Sequence, residues 1–113
     1  MKIERQTHNQ EIEYVTLAGE LDFNSSPQVR GELTKLTEKN SRKILVDLKK
    51  VTYIDSSGLA IFIEFFQKIK RSGGKLVLFN LSQEVRSVFE IAKLETVFHL
   101  VENHEQALGL VSA

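Results

Sequence analysis

The chain has 113 residues, with 15 lysines and arginines against 15 aspartates and glutamates, a formal net charge of +0, and neither cysteine nor tryptophan. A chain of this size is expected to form one domain, residues 1–113, burying about two thirds of its unfolded surface, so a real core needs no metal or disulfide staple. The missing cysteines exclude a disulfide framework, thiol catalysis and cysteine-ligated zinc, and the balanced charge argues against non-specific binding to nucleic acid or anionic membrane, which needs clustered positive charge.

The opening Met-Lys-Ile-Glu-Arg-Gln meets polar and acidic residues at once, unlike a signal peptide. The longest apolar-rich stretch, Leu59 to Phe66, contains Glu64 and is far too short to span a bilayer. A cytoplasmic protein without membrane insertion is therefore expected. Ile3 to Gln6 predicts a first strand, His8-Asn9-Gln10-Glu11 a polar turn, and Ile12 to Leu17 a second strand, together a hairpin. Gly19-Glu20-Leu21-Asp22 reads as a strand end entering a second polar turn. Ser25-Ser26-Pro27 marks a helix start capped by Ser25, and Val29, Leu33 and Leu36 form one apolar stripe on a helix ending near Asn40.

Ile44 to Leu48 is almost continuously apolar and reads as a central strand covered on both faces, with Asp47 near its end. Val51 to Ile54 leads into Asp55-Ser56-Ser57-Gly58 and then a strong helix, ended by Gly73-Gly74. At 100° per residue, Ile61, Phe65, Ile69, Phe62, Phe66, Leu59 and Ile63 sweep an arc of roughly 200°, wider than one buried side requires. Ile61 and Phe65 widen that arc: either they pack beneath the next helix or they face a partner. Lys75 to Phe79 predicts a strand, Ser82 caps a helix carrying Val85, Val88, Phe89 and Ala92, and Val97 to Val101 predicts a short strand. Asn103-His104-Glu105-Gln106 has the form of a capping box before a last helix with Ala107, Leu108 and Val111. The order ββαβαβαβα argues for an α/β fold, helices packed on a mostly parallel or mixed sheet with right-handed crossovers.

Most chemistries fail on inspection. His8, His99 and His104 show no metal-ligand spacing, and His99 reads as a structural strand residue, so no metal is expected. Neither a phosphate-binding glycine motif nor G-x-S-x-G occurs, and no local pattern assigns a histidine to Ser56 or Ser57, so neither an enzyme nor a cofactor is indicated. What remains is the turn Ile54-Asp55-Ser56-Ser57-Gly58-Leu59. It joins a strand to a helix N-terminus, where free amides and the positive end of the dipole favour an anion, and Gly58 allows close approach. Read alone, Asp-Ser-Ser is equally an ordinary helix cap.

Together these features resemble the STAS domain family (sulfate transporter and anti-sigma factor antagonist), most of all the free-standing bacterial anti-sigma factor antagonists. Gly19-Glu20-Leu21-Asp22 is similar to the family's early Gly-x-Leu/Ile-Asp element, and Asp55-Ser56-Ser57-Gly58-Leu59 to its phosphorylation loop. Gly73-Gly74 before the Lys75 strand and Asn80-Leu81-Ser82 after it fit the same spacing. The resemblance implies a four- to five-stranded mixed sheet packed against about four helices, and a switch in place of an enzyme. It implies that Ser56 is phosphorylated by an anti-sigma factor that is a GHKL-type serine kinase, that the unphosphorylated chain binds that kinase, and that a PP2C-type phosphatase resets it. On this basis Asp55 is expected to position the Ser56 hydroxyl, Ser57 and Gly58 to shape the loop, and Asp22, with Ser25 at the rim, to lie on the partner surface. Ala60 stands where many antagonists have a second glycine, which keeps a second role in view: a STAS subunit of an ABC-type lipid transporter complex.

Overall fold

The computed structural model describes residues 1–8, 11–39 and 42–112, with side chains to 111. The elements are β1 (Lys2–His8), β2 (Ile12–Leu21), α1 (Ser26–Glu38), β3 (Lys43–Ile54), α2 (Ser56–Arg71), β4 (Lys75–Phe79), α3 (Gln83–Ile91), β5 (His99–Val101) and α4 (His104–Ser112). The five strands lie in the order β1-β2-β3-β4-β5; β1 runs antiparallel to β2 and every other neighbour is parallel. This is the mixed five-stranded sheet with four helices that the element order predicts. The parts of the expected polar turn at Asn9–Gln10, and Asn40 beyond α1, lie outside the described residues.

The side-chain alternation of the strands sorts the core onto two faces. Val15, Leu17, Ile44, Val46, Leu48, Leu76 and Leu78 face α1, α2 and α3, whose stripes (Val29, Leu33 and Leu36; Leu59 to Ile69; Val85 and Phe89) complete the larger core. Ile12, Leu45, Val77 and Phe79 point the other way, beneath Ala107 and Val111 of α4. β3 is central and buried on both faces, which is why Ile44 to Leu48 lacks the polar alternation of a half-exposed strand. Among the described residues the one buried carboxylate, Glu13, is 6 % exposed and accepts from Thr7 Oγ1 at 3.0 Å while pairing with Lys39 Nζ at 3.1 Å.

Several expectations change. The second strand runs past its expected end at Leu17: Gly19-Glu20-Leu21 is the strand end the sequence suggests, the last part of β2, which shifts register against β3 at Gly19/Glu20, where Gly19 has φ +114°. A side chain there would be strained, so glycine lets the strand re-aim before Asp22. Ile44–Leu48 and Val51–Ile54 are one strand, and Asp47 lies inside it, at the point where pairing with β4 stops; its carboxylate accepts from the Lys49 amide at 2.9 Å and from Asn80 Nδ2 at 3.2 Å. His99 is exposed and not a packed structural residue, and Val97 and Phe98 precede β5. The Gln106 side chain accepts from the Glu102 amide at 2.9 Å, one residue before the Asn103 amide that a capping box would use, while Asn103 Oδ1 accepts from the Gln106 amide at 2.9 Å. Ser82 caps α3 as expected, accepting from the Val85 amide at 3.2 Å.

Ile61 and Phe65 are 1 % and 3 % exposed and face Leu33, Thr34 and Thr37 of α1, with Arg30 and Glu64 paired at 3.0 Å over the seam. The partner contact held open for them is thereby corrected. The arc is wide because α2 lies between the sheet and the preceding helix and buries two sides within the chain.

Candidate functional site

Leu21 at the end of β2 and Ile54 at the end of β3 are register partners, and both are buried. Two parallel strands therefore deliver their following turns to the same edge of the sheet, the carboxyl edge where open α/β sheets carry their sites. The second turn starts α2. Asp55 is the N-cap, with φ −117° and ψ −171°, and its Oδ1 accepts from the Ser57 amide at 2.9 Å and the Gly58 amide at 3.2 Å. Among the described residues no hydrogen bond joins Asp55 to the Ser56 hydroxyl, so the expectation that Asp55 positions that hydroxyl directly is replaced: the carboxylate holds the two backbone amides that follow Ser56. Ser56 begins the helix and is exposed; Ser57 is half-buried. Two of the helix's free amides are thus already occupied, and the site is not the open anion cradle the sequence suggests.

Gly58 is buried where nothing larger fits. A Cβ built there stands 2.8 Å from Ile54 Cγ1, 2.8 Å from Leu21 Cγ and 2.9 Å from the Leu21 carbonyl oxygen. That same carbonyl accepts from the Asp55 amide at 3.2 Å. The Ser56 turn is therefore clamped onto the end of β2.

The neighbouring turn is held by its own polar side chains. Asp22 Oδ1 accepts from the amides of Asn24 and Ser25, both at 3.0 Å; the Asp22 amide donates to Ser25 Oγ at 3.0 Å; and Ser25 Oγ donates to the Glu20 carbonyl at 2.7 Å. Ser25 occupies the N-cap position of α1 but makes no side-chain cap, because its hydroxyl is spent on the turn; the predicted capping role is corrected. Asp22 and Ser25 lie on the turn that follows β2, at the same sheet edge as the turn that follows β3, and their side-chain hydrogen-bond partners lie within residues 20–25.

Two side chains of this edge escaped the sequence reading. Phe23 is 77 % exposed and Tyr53, the register partner of Glu20, is 51 % exposed. Their only sequence signal is that both are aromatic and lie outside every periodic stripe. Residues 19–26 and 53–60 also contain three carboxylates, Glu20, Asp22 and Asp55, and no lysine or arginine. These two segments are acidic in a chain of formal net charge +0.

Elsewhere, Tyr14 hydroxyl and His104 Nε2 lie 2.7 Å apart, with His8 edge-on to the tyrosine ring, and burial pushes the Tyr14 phenol up from its usual range. Among the described residues no three His, Asp or Glu side chains are placed to hold a metal ion, and no helix is long and apolar enough to cross a membrane.

Comparison with known proteins converges on one family. The family profile described as the STAS domain matches residues 5–107. The anti-sigma-B factor antagonist of Bacillus subtilis is 36 % identical over 91 residues, which are 80 % of this chain and 83 % of that protein. Among solved structures, a Thermotoga maritima chain superposes with a TM-score of 0.93 at 19 % identity, over 98 % of this chain and 95 % of that one. The Bacillus antagonist SpoIIAA matches in its unphosphorylated form with a TM-score of 0.77 at 20 % identity, over 99 % of each chain. Its phosphorylated form gives the same TM-score at 21 % identity, over 97 % of this chain and 99 % of that one.

Proposed function

This chain belongs to the STAS domain family, and we propose that it is an anti-sigma factor antagonist: a cytoplasmic binding module that holds an anti-sigma factor serine kinase of the GHKL type while Ser56 is free and lets it go once Ser56 is phosphorylated. The observation that carries this reading is the geometry of Ser56. Its side chain is exposed at the start of α2, on a turn whose neighbouring amides are already taken by Asp55. The hydroxyl is accessible to another protein's active site, and a phosphate on it has no ready place to fold back onto the helix.

In the proposed transfer, Ser56 Oγ forms a bond to the γ-phosphorus of ATP, the bond from that phosphorus to the β–γ bridging oxygen breaks, ADP leaves, and the hydroxyl proton passes to a base of the kinase. To do this the kinase must hold nucleotide phosphates against Ser56. The product adds about −1.5 to −2 charges at that contact. One like charge about 4 Å away costs about 4 kcal/mol at an effective dielectric of 20, which is nearly a thousandfold in affinity. The helix dipole returns only about 0.3–1 kcal/mol to an exposed anion. Repulsion therefore outweighs the local gain, and release needs no refolding. A PP2C-type phosphatase would restore the binding form. The relatedness to the Bacillus subtilis antagonist supports this role over that of a transporter subunit.

The test is incubation with ATP and the GHKL-type kinases of the same genome, with the phosphate mapped by mass spectrometry. Phosphate on Ser56, retained binding by Ser56→Ala and lost binding by Ser56→Asp are expected. No phosphate on Ser56 together with unchanged binding by Ser56→Asp overturns the proposal.

A further inference from the structure

We infer that Phe23 is the apolar anchor of the contact with that kinase, so that gripping the partner and switching it off reside in different side chains of one rigid surface. The inference rests on the antagonist reading and adds to it the source of affinity.

Phe23 is a large aromatic side chain held out of the core, not left out by a loose segment. Its turn is pinned by Asp22 and Ser25 as described, and Ser26 Oγ donates to the Phe23 carbonyl itself at 3.2 Å. An aromatic side chain on a pre-ordered turn loses little freedom on binding, and such residues carry a disproportionate share of interface energy. Ser56 supplies the switch but, as a small hydroxyl side chain, little apolar area to hold a partner. The edge needs a second element for grip, and among the described residues of these two turns Phe23 is the exposed aromatic.

Distance makes the two inseparable. The Asp55 amide is bonded to the Leu21 carbonyl, so Phe23, two residues beyond Leu21, lies at most about 16 Å from Ser56 along the chain. A standard interface buries about 800 Å² on each partner, a disc of roughly 16 Å radius. A kinase that centres its active site on Ser56 therefore has Phe23 within its reach, and an apolar pocket on the kinase would receive it. Ile91 serves as the contrast: it is 83 % exposed, but it lies at the far end of α3, away from this edge.

Titration calorimetry with the kinase compares the wild type with Phe23→Ser, Phe23→Leu and Ile91→Ser, each first checked by thermal melting. Phe23→Ser is expected to weaken binding about 10- to 100-fold with an unchanged melting temperature, Phe23→Leu to keep most of the affinity, and Ile91→Ser to leave it unaltered. Phosphorylation of Ser56 should still cut the residual affinity of Phe23→Ser by the same factor as in the wild type. Affinity of Phe23→Ser within twofold of wild type, or an equal loss in Ile91→Ser, overturns the inference while the switch reading stands. A wild type that binds none of these kinases removes that reading, and the anchor with it.

Discussion

The amide of Asp55 donates to the carbonyl oxygen of Leu21 at 3.2 Å, joining the turn that follows β3 to the end of β2. Through this bond, and through Gly58 seated against the same carbonyl, the Ser56 turn and the Asp22 turn form a single surface. A charge change on one is felt by whatever touches the other.

Gly58→Ala should destabilise the fold as well as the switch. The added methyl meets Leu21 and Ile54 at 2.8 Å, and one of its neighbours is backbone that cannot swing aside. Overpacking of this kind costs about 1–3 kcal/mol, so thermal denaturation should show a melting temperature lower by several degrees, at about 4–8 °C per kcal/mol. A melting temperature equal to wild type would show that the two turns are not packed as tightly as this.

Asp55 acts as a cap, and its substitutions should rank by acceptor capacity. Asp55→Ala loses both amide contacts and is expected to cost about 0.5–2 kcal/mol, whereas Asp55→Asn keeps an oxygen in place and should cost less. Urea unfolding of the three proteins provides the ranking; equal losses in both variants would contradict a capping role.

Phe65→Ala should behave as a core substitution. The side chain lies buried between α2 and α1, and truncating a buried phenylalanine costs about 3–5 kcal/mol. Calorimetric melting should show a large drop. Weakened partner binding with an unchanged melting temperature would instead return Phe65 to the surface.

Phosphorylation of Ser56 should leave the fold in place. Because Asp55 already occupies the Ser57 and Gly58 amides, the phosphate is expected to point outward. Amide chemical-shift changes are expected to be confined to residues 19–26 and 53–60. Shifts spreading through α3 or α4 would indicate a conformational switch in place of an electrostatic one.

Much of the fold was legible along the chain because it depends on local periodicity. The stripes of α1 and α3, the continuous apolar run of β3 and the limits of β4 all follow from which side chains must leave water. The errors occurred where a distant element decided the outcome. Gly19–Leu21 lies past the expected strand end at Leu17 but is strand because β3 pairs with it. Ser25 has a cap's position, but its hydroxyl is claimed by the Glu20 carbonyl. Ile61 and Phe65 fit two readings in the sequence, and α1 lying over them decides for the core.

For the site the division is similar. The residues from Asp55 to Leu59 mark a strand-to-helix turn in the sequence because an acidic and hydroxyl cap precedes an apolar helical stripe. The roles around it depended on tertiary structure. Asp55 holds amides and not the hydroxyl, Phe23 and Tyr53 stand exposed, and the two turns share one edge. None of this is encoded by neighbours in sequence: Leu21 and Asp55 lie 34 positions apart, and they meet because two parallel strands, paired through a buried core, must end side by side.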